Sequence, residues 1–334
     1  MAHGKMKYRQ TVGLCSMEGR GFYYPSDTLI TGDGKMYTVN RSLDGDYRGV
    51  RVTIYDVSEE YYGTFSEYGE KPGEMVWPTA ISQTSDGNIL IADEYLNRVS
   101  VFEPDGKLVS TWGNTGSELH EIDGPSGLAI DQDDRVFISD HRNHRIQVMS
   151  RTGNHLYSFG RRGDGDGQLN SPWGITIAPN GDVYVADWLN DRIQRFHPDG
   201  KFVASYGESG RGENQLFRPA SVCVDSEGYI YIADWGNQRL KIMDPSGKVL
   251  QSLRGEATAS RWAKIFLDIN VEEARARENS DLETEFEYFV NDPHETSSHI
   301  EKLFWAPISV KMDSEETLYV TESNRHRIQI YSKA

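Results

Sequence analysis

His141 and Arg142 are adjacent, an imidazole able to exchange a proton near neutral pH beside a guanidinium able to clamp an anion. Tyr95 and His120 add acid–base groups, and Asp27 adds a carboxylate. The pairs Asp93/Arg98, Asp140/Arg145, Asp187/Arg192 and Asp234/Arg239, each five residues apart, resemble a set of catalytic ion pairs. Chemistry happens at one place, however, and a residue required once per unit answers a need that recurs once per unit. These pairs are therefore read as structural, each a charge-assisted hydrogen bond that fixes a turn. The same reasoning sets aside His144 and His326, each just before such an arginine. It also sets aside Gly163-Asp164-Gly165-Asp166-Gly167, which lacks the downstream glutamate of a calcium loop. Tryptophan is the other informative residue type, an apolar body with one hydrogen-bond donor, and several around a concave mouth suit an aromatic-walled ligand site. The expected ligand-binding residues are Trp173, Trp188, Trp235 and Trp305 with His120 and Asp27, and the expected catalytic residues are His141, Arg142 and Tyr95.

The elements that would position these groups follow from a repeat. Pro78, Pro125, Pro172 and Pro219 are spaced 47 residues apart, and each opens a similar unit. From Pro172, the apolar run Gly174 to Ala178 leads through Asn180-Gly181 to Asp182 to Ala186. A third run, Ile193 to Phe196, leads through Pro198-Asp199-Gly200 to a fourth ending at Tyr206-Gly207. Short apolar runs joined by such turns are antiparallel strands, so each unit is a four-stranded meander. Less regular units open at Pro25, 53 residues before Pro78, and at Pro307, 88 after Pro219, which makes six. The last unit ends after its third strand. Its missing strand matches Tyr8 to Gly13, because Gly13 precedes Pro25 by 12 residues, as Gly113, Gly160 and Gly207 precede the prolines that follow them. Pairing that strand with the last unit closes a ring without open edges. The expected fold is all-β: a six-bladed β-propeller of four-stranded blades, closed by the N-terminal strand and forming one domain over residues 1–334. Loops between strands two and three emerge beside the blade-to-blade connections, so the tryptophans and His141 gather on one face around the channel mouth.

Asp140-x-x-Asn143-His144-Arg145-Ile146-Gln147, Asp187-x-x-Asn190-Asp191-Arg192-Ile193-Gln194, Asp234-x-x-Asn237-Gln238-Arg239-Leu240 and Arg327-Ile328-Gln329 carry a further signal. With this motif and period the chain resembles the NHL-repeat family of β-propellers. Asn40 and Glu322 replace the motif aspartate in the first and last blades, and Asn97 comes one position late. Six-bladed propellers similar to this one include amidating lyases and lactone hydrolases with a metal in the channel. In the lyases, the zinc-binding histidines come just after the blade-opening proline. Here those positions hold Ser26, Thr79, Ser126, Trp173, Ala220 and Ile308, none able to replace a histidine ligand, and only Asp27 could serve a calcium site. No metal or cofactor is expected.

The segment 255–305 breaks the strand pattern. Trp262, Ile265, Phe266 and Ile269 follow one helical stripe, and Leu282, Phe286, Phe289 and Val290 another. Ser280-x-x-Glu283 and Ser298-x-x-Glu301 predict the starts of a second and a third helix, and Asn291-Asp292-Pro293 predicts the end of the second. The expectation is a helical insertion between blades 5 and 6, serving as a lid over the channel mouth. Its 12 acidic and 5 basic residues also fit a protein-docking module.

The chain of 334 residues carries a net charge of −16, which argues against nucleic acid as a partner, since that affinity rests on lysine and arginine. The start is polar and no run of 18 apolar residues occurs, which predicts a soluble, cytoplasmic, monomeric protein without a membrane partner. Its two cysteines, Cys15 and Cys223, form neither a disulfide framework nor a metal-ligand spacing. The expected function is binding of a small organic molecule or peptide at the aromatic-lined mouth. The alternatives are a metal-independent lyase or hydrolase using that pocket and a protein-interaction scaffold.

Overall fold

Each proline-opened unit folds as one antiparallel meander. In the fourth, strands Pro172–Ile177, Val183–Asp187, Arg192–Phe196 and Phe202–Tyr206 pair in sequence order. Gly181 and Gly200, both at φ +86, supply the left-handed backbone its hairpin turns require. The computed structural model describes residues 4–43, 45–284 and 291–334, and its strands form six such four-stranded sheets. The sixth is completed by Met6–Val12, which lies antiparallel to Arg327–Lys333 with Tyr8 opposite Tyr331 and Val12 opposite Ile328. Apolar side chains fill the spaces between adjacent blades. At the closing joint, Val12, Ile328 and Ile330 of blade 6 pack with Phe22, Met36 and Tyr55 of blade 1. No helix among the described residues is long and apolar enough to cross a membrane.

The repeated polar residues hold the turns that face the mouth. Asp140, Asp187 and Asp234 accept from Nε of Arg145, Arg192 and Arg239 at 2.8, 2.8 and 2.7 Å, and Glu322 does the same with Arg327 at 2.6 Å. The outer end of each guanidinium holds the loop entering the blade, as Arg192 does by donating to the carbonyls of Gly165 and Gln168. Blade 2 departs from the pattern, and Asp93 and Arg98 form no ion pair. Leu96 stands where blades 3, 4 and 5 have asparagine, and the Asp93 carboxylate accepts four backbone N–H groups, from Val76, Trp77, Tyr95 and Leu96. Arg98 Nε is left buried without a partner among the described residues.

A second repeated bond joins the blades. Asn97, His144, Asp191, Gln238 and His326 all have left-handed backbone, with φ between 50 and 54. Their side chains accept the N–H of the residue just before the next blade-opening position, namely Gly124, Ser171, Arg218, Ala306 and Tyr24. The His326 bond links blade 6 to blade 1.

One buried residue fits this network poorly. Gln194 donates to the Gln168 carbonyl and to Asp187, and Gln147 and Gln329 occupy its position in blades 3 and 6. Blade 5 places Lys241 there, fully buried and donating to the Glu213 and Gln215 carbonyls. Burial pulls its amine down to about 8. The unfolded chain therefore binds this proton more tightly, and the resulting instability is present at neutral pH and fades as pH rises through 8 toward the ordinary value. Lys241→Gln is expected to raise the unfolding free energy at pH 7 by about 1–3 kcal/mol, the upper figure being the shift converted at 1.36 kcal/mol per unit. Chemical denaturation at pH 7 and pH 10 checks this, and an equal difference at both pH values would contradict it.

Between blades 5 and 6 lie helices α1 (Arg261–Ile269), α2 (Val271–Glu278) and α3 (Pro293–His299). Two of the expected helix starts are corrected. The Ser280 hydroxyl donates back to the Ala276 carbonyl at the end of α2, and Ser298 lies inside α3, donating to Glu295. Asn291-Asp292-Pro293 opens α3, because Asp292 accepts from the N–H groups of His294 and Glu295, and proline is tolerated at a first helical position; the helix expected to end there lies largely outside the described residues. The second expected stripe rests on Phe286, Phe289 and Val290, which lie outside the described residues. In the first stripe only Trp262 is buried, while Phe266 and Ile269 face solvent. Helix α1 docks where the outermost strand of blade 6 meets the Ser58–Glu60 turn of blade 1. Glu59 accepts from the N–H groups of Gly13, Arg261 and Trp262, and its carbonyl accepts from the Trp262 indole.

Candidate functional site

The channel itself is filled. Hydroxyls of Ser26, Thr79 and Ser126 donate to the carbonyls of Pro78, Pro125 and Pro172 in the next blade at 2.8, 2.7 and 2.9 Å. Asp27 is buried among these strands, accepting from Ser309 Oγ and the Ile81 N–H and pairing with Lys311 at 3.2 Å. About 20 Å³ of free volume remains, on the scale of a single water. Space for a ligand lies above the channel.

There the first residue of each strand-two to strand-three turn faces the mouth. In blade order these are Arg41, Glu94, His141, Trp188, Trp235 and Ser323, each directly after Asn40, Asp93, Asp140, Asp187, Asp234 and Glu322. One arc of the mouth is thus charged and the opposite arc aromatic. His141, Trp188 and Trp235 each begin a short 3₁₀ turn, whose shape is held by the Asp–Asn–Arg bonds beneath it.

The rings form an unbroken row. Centroid separations are 5.3 Å from His141 to Trp173, 5.2 Å from Trp173 to Trp188 and 5.1 Å from Trp188 to Trp235. Helix α3 of the insertion extends the row with His294, 6.0 Å from Trp235 and 5.9 Å from Trp305, whose indole donates to His294 Nε2. All five separations fall within the range of favourable aromatic pairs. At the charged end, Glu94 is nearly buried and accepts from His141 at 3.3 Å and Arg142 at 3.0 Å, while Arg142 also pairs with Asp123. Burial alone would raise the Glu94 carboxyl, but the His141 bond and the nearby Arg41 and Arg142 outweigh it and hold the group below its ordinary value. Gly124 makes room for the imidazole, since at its φ of +69 a Cβ would come within 2.4 Å of His141 Nε2.

A cavity of about 360 Å³ occupies the mouth. Trp173, Trp188 and Trp235 line one side of it, Tyr24, Arg41, Ser42 and Trp77 the other, with Ser323 and Asn324 between. A family model for the NHL repeat matches residues 123–149, 169–196 and 218–243. The chain is an NHL-repeat β-propeller. No curated protein matches it in sequence. Among solved structures it is similar to a catalytically inactive virginiamycin B lyase from Staphylococcus aureus with quinupristin, at 12% identity and TM-score 0.58, covering 99% of this chain and 100% of that one. It is also similar to an auxiliary nutrient binding protein from Bacteroides ovatus, at 13% identity and TM-score 0.58 over 94% of this chain and 69% of that one. A third, hydrazine synthase of Kuenenia stuttgartiensis, is 14% identical with TM-score 0.55 over 94% and 96%. At these identities the likeness is one of fold.

Within this NHL propeller the sequence-predicted residues separate. Trp173, Trp188, Trp235, Trp305 and His141 fall in the ring row, and Arg142 sits beside it, already engaged by two carboxylates. Tyr95 is exposed and lines a neighbouring cavity of about 350 Å³ with Tyr47, Tyr68 and Trp77. No hydrogen bond joins it to His141 among the described residues. His120 is exposed in the loop whose carbonyls at Ser117, Glu118 and Glu121 are held by Arg145, away from the mouth cavity. Three mouth residues were not singled out from the sequence. Glu94 and Arg41 follow the repeat aspartate or its Asn40 substitute just as Trp188 and Trp235 follow theirs, so the same alignment would find them. His294 comes from the insertion, where no repeat points to it.

Proposed function

We propose that this NHL propeller binds a small organic molecule or peptide in the mouth cavity. The unbroken row of rings from His141 to Trp305 carries the reading. Its three central indoles, Trp173, Trp188 and Trp235, present an apolar wall to a cavity of ligand size, and the turns beneath the row are held by the repeat network. Helix α3 acts as a lid over the side between blades 5 and 6, a role supported by the place of His294 between Trp235 and Trp305. Trp188→Ala is expected to weaken binding of any hit from a thermal-shift screen at least about tenfold, from lost stacking and lost apolar contact. Titration by tryptophan fluorescence checks this, and unchanged affinity would overturn the site.

A second reading, metal-independent lyase or hydrolase chemistry on the bound molecule, is favoured by one observation. His141 lies at the end of the row with its Nε2 on Glu94, an arrangement that orients an imidazole as an acid–base group. Turnover of the identified ligand that disappears in His141→Ala would support it, and binding without turnover would leave the binding function alone.

A further inference from the structure

We infer that the ligand of the mouth is an organic anion with a flat unsaturated body, its carboxylate or other anionic group held by Arg41 and its flat face lying on Trp188 and Trp235. This rests on the reading of the mouth as a ligand site and names the class of molecule it takes.

Arg41 is the one charged residue among those described as lining the cavity, in a chain whose net charge is −16. Its guanidinium lies over the Trp77 ring at 4.5 Å, a cation–π contact that holds the group in place without using its N–H donors. The Arg41 backbone N–H donates to the Tyr24 carbonyl, but no hydrogen bond or ion pair of its guanidinium occurs among the described residues. The two carboxylates whose charge acts on it are committed elsewhere, Glu94 to His141 and Arg142, and Asp93 to four backbone N–H groups. Burial draws the guanidinium below its ordinary value, with Glu94 and Asp93 opposing, so the cation is partly stripped of water yet has no direct counter-charge among the described residues. A planar fork of donors in that condition matches a carboxylate or phosphate oxygen pair. Arg41 belongs to blade 1 and Trp188 to blade 4, three blades on in a ring of six, so the two face each other across the mouth. A molecule touching both must carry its charge at one end and its apolar face at the other.

The test uses the intact protein and matched probes: indole-3-acetate and phenylacetate against their uncharged amides, with wild type, Arg41→Gln and Trp188→Ala compared by calorimetry. Wild type is expected to bind the acids at least tenfold more tightly than the amides, and Arg41→Gln to remove that preference by weakening the acids at least tenfold more than the amides. Trp188→Ala is expected to weaken acids and amides alike. Equal affinity for acids and amides in the wild type, or a preference that survives Arg41→Gln, overturns the anion assignment, and the mouth still stands as a site if Trp188→Ala weakens both. Failure of acids and amides alike to bind overturns the anion class. If uncharged planar compounds from the thermal-shift screen are also indifferent to Trp188→Ala, the site itself falls.

Discussion

Trp262→Ala is expected to lower the unfolding free energy by about 3–5 kcal/mol, the range for truncating a large buried aromatic side chain. The indole is 1% exposed and packs against Phe22 and Tyr55 at 5.9 and 5.6 Å, within the cluster that joins blade 6 to blade 1. Its Nε1 donates to the Glu59 carbonyl at 2.7 Å, so alanine removes a buried bond as well as volume. Ser260 strengthens the same joint, donating to the Gly13 carbonyl and accepting from Ala263 at the start of α1. The damage should concentrate where the ring is closed by pairing of strands rather than by chain connection. Hydrogen exchange of the amides in Met6–Val12 should therefore accelerate more than that of Val183–Asp187 on the far side. A loss below about 1 kcal/mol, or uniform acceleration around the ring, would contradict this account. Excising the whole insertion would open the same joint, so the lid role of α3 is better tested by His294→Ala, which leaves the Trp262 anchor in place.

The blades were legible because their spacing is carried by turn residues with few substitutes. Pro78, Pro125, Pro172 and Pro219 mark the inner strands, and the 12-residue step from Gly13 to Pro25 located the closing strand although it is most of the chain away from its partner. The repeated Asp–Arg pairs were legible as structural for the same reason, but Asp93 and Arg98 were read as one of them and form no such pair, a departure marked in the sequence only by the displaced Asn97. The insertion was harder to read. An Asp–Pro pair ends one helix or starts the next by the same physics, and only the hydrogen bonds from His294 and Glu295 to Asp292 distinguish the two. For the site, repeat logic directed attention to residues that break the pattern, which found Trp188, Trp235 and His141. It passed over Arg41 and Glu94, whose charge is ordinary on a surface and becomes informative only once they are seen at the same turn position as the tryptophans. His120 follows a fourth strand at the right distance for a mouth loop, but that loop is first drawn outward by Arg145 before it turns in toward Pro125.

Acidification should loosen the ring at the same closing joint through His326. Burial depresses its imidazole to about 4, and Nδ1 accepts the Tyr24 N–H at 2.9 Å, while the ring stacks on Tyr23 and meets Tyr24 edge-on. A proton on Nδ1 would abolish that acceptor and place an uncompensated charge between aromatic rings. The folded value lies below the ordinary imidazole value, so the unfolded chain takes up the proton first. The contribution of the neutral imidazole is complete above about pH 6.5 and is lost as pH falls toward about 4, where it levels off, for a total of about 3 kcal/mol. His144 makes the equivalent bond to Ser171, and burial also lowers its imidazole, adding a smaller loss of the same sign. The repeat supplies the control, because Asn97 holds the same backbone conformation in blade 2 and accepts the Gly124 N–H through an amide that does not titrate. His326→Asn should therefore keep most of the stability at pH 7.5 while flattening the decline between pH 6.5 and 4, leaving only the part due to His144 and the carboxylates. If the slope in that window is as steep in His326→Asn as in the wild type, the acid sensitivity of the ring does not originate at His326.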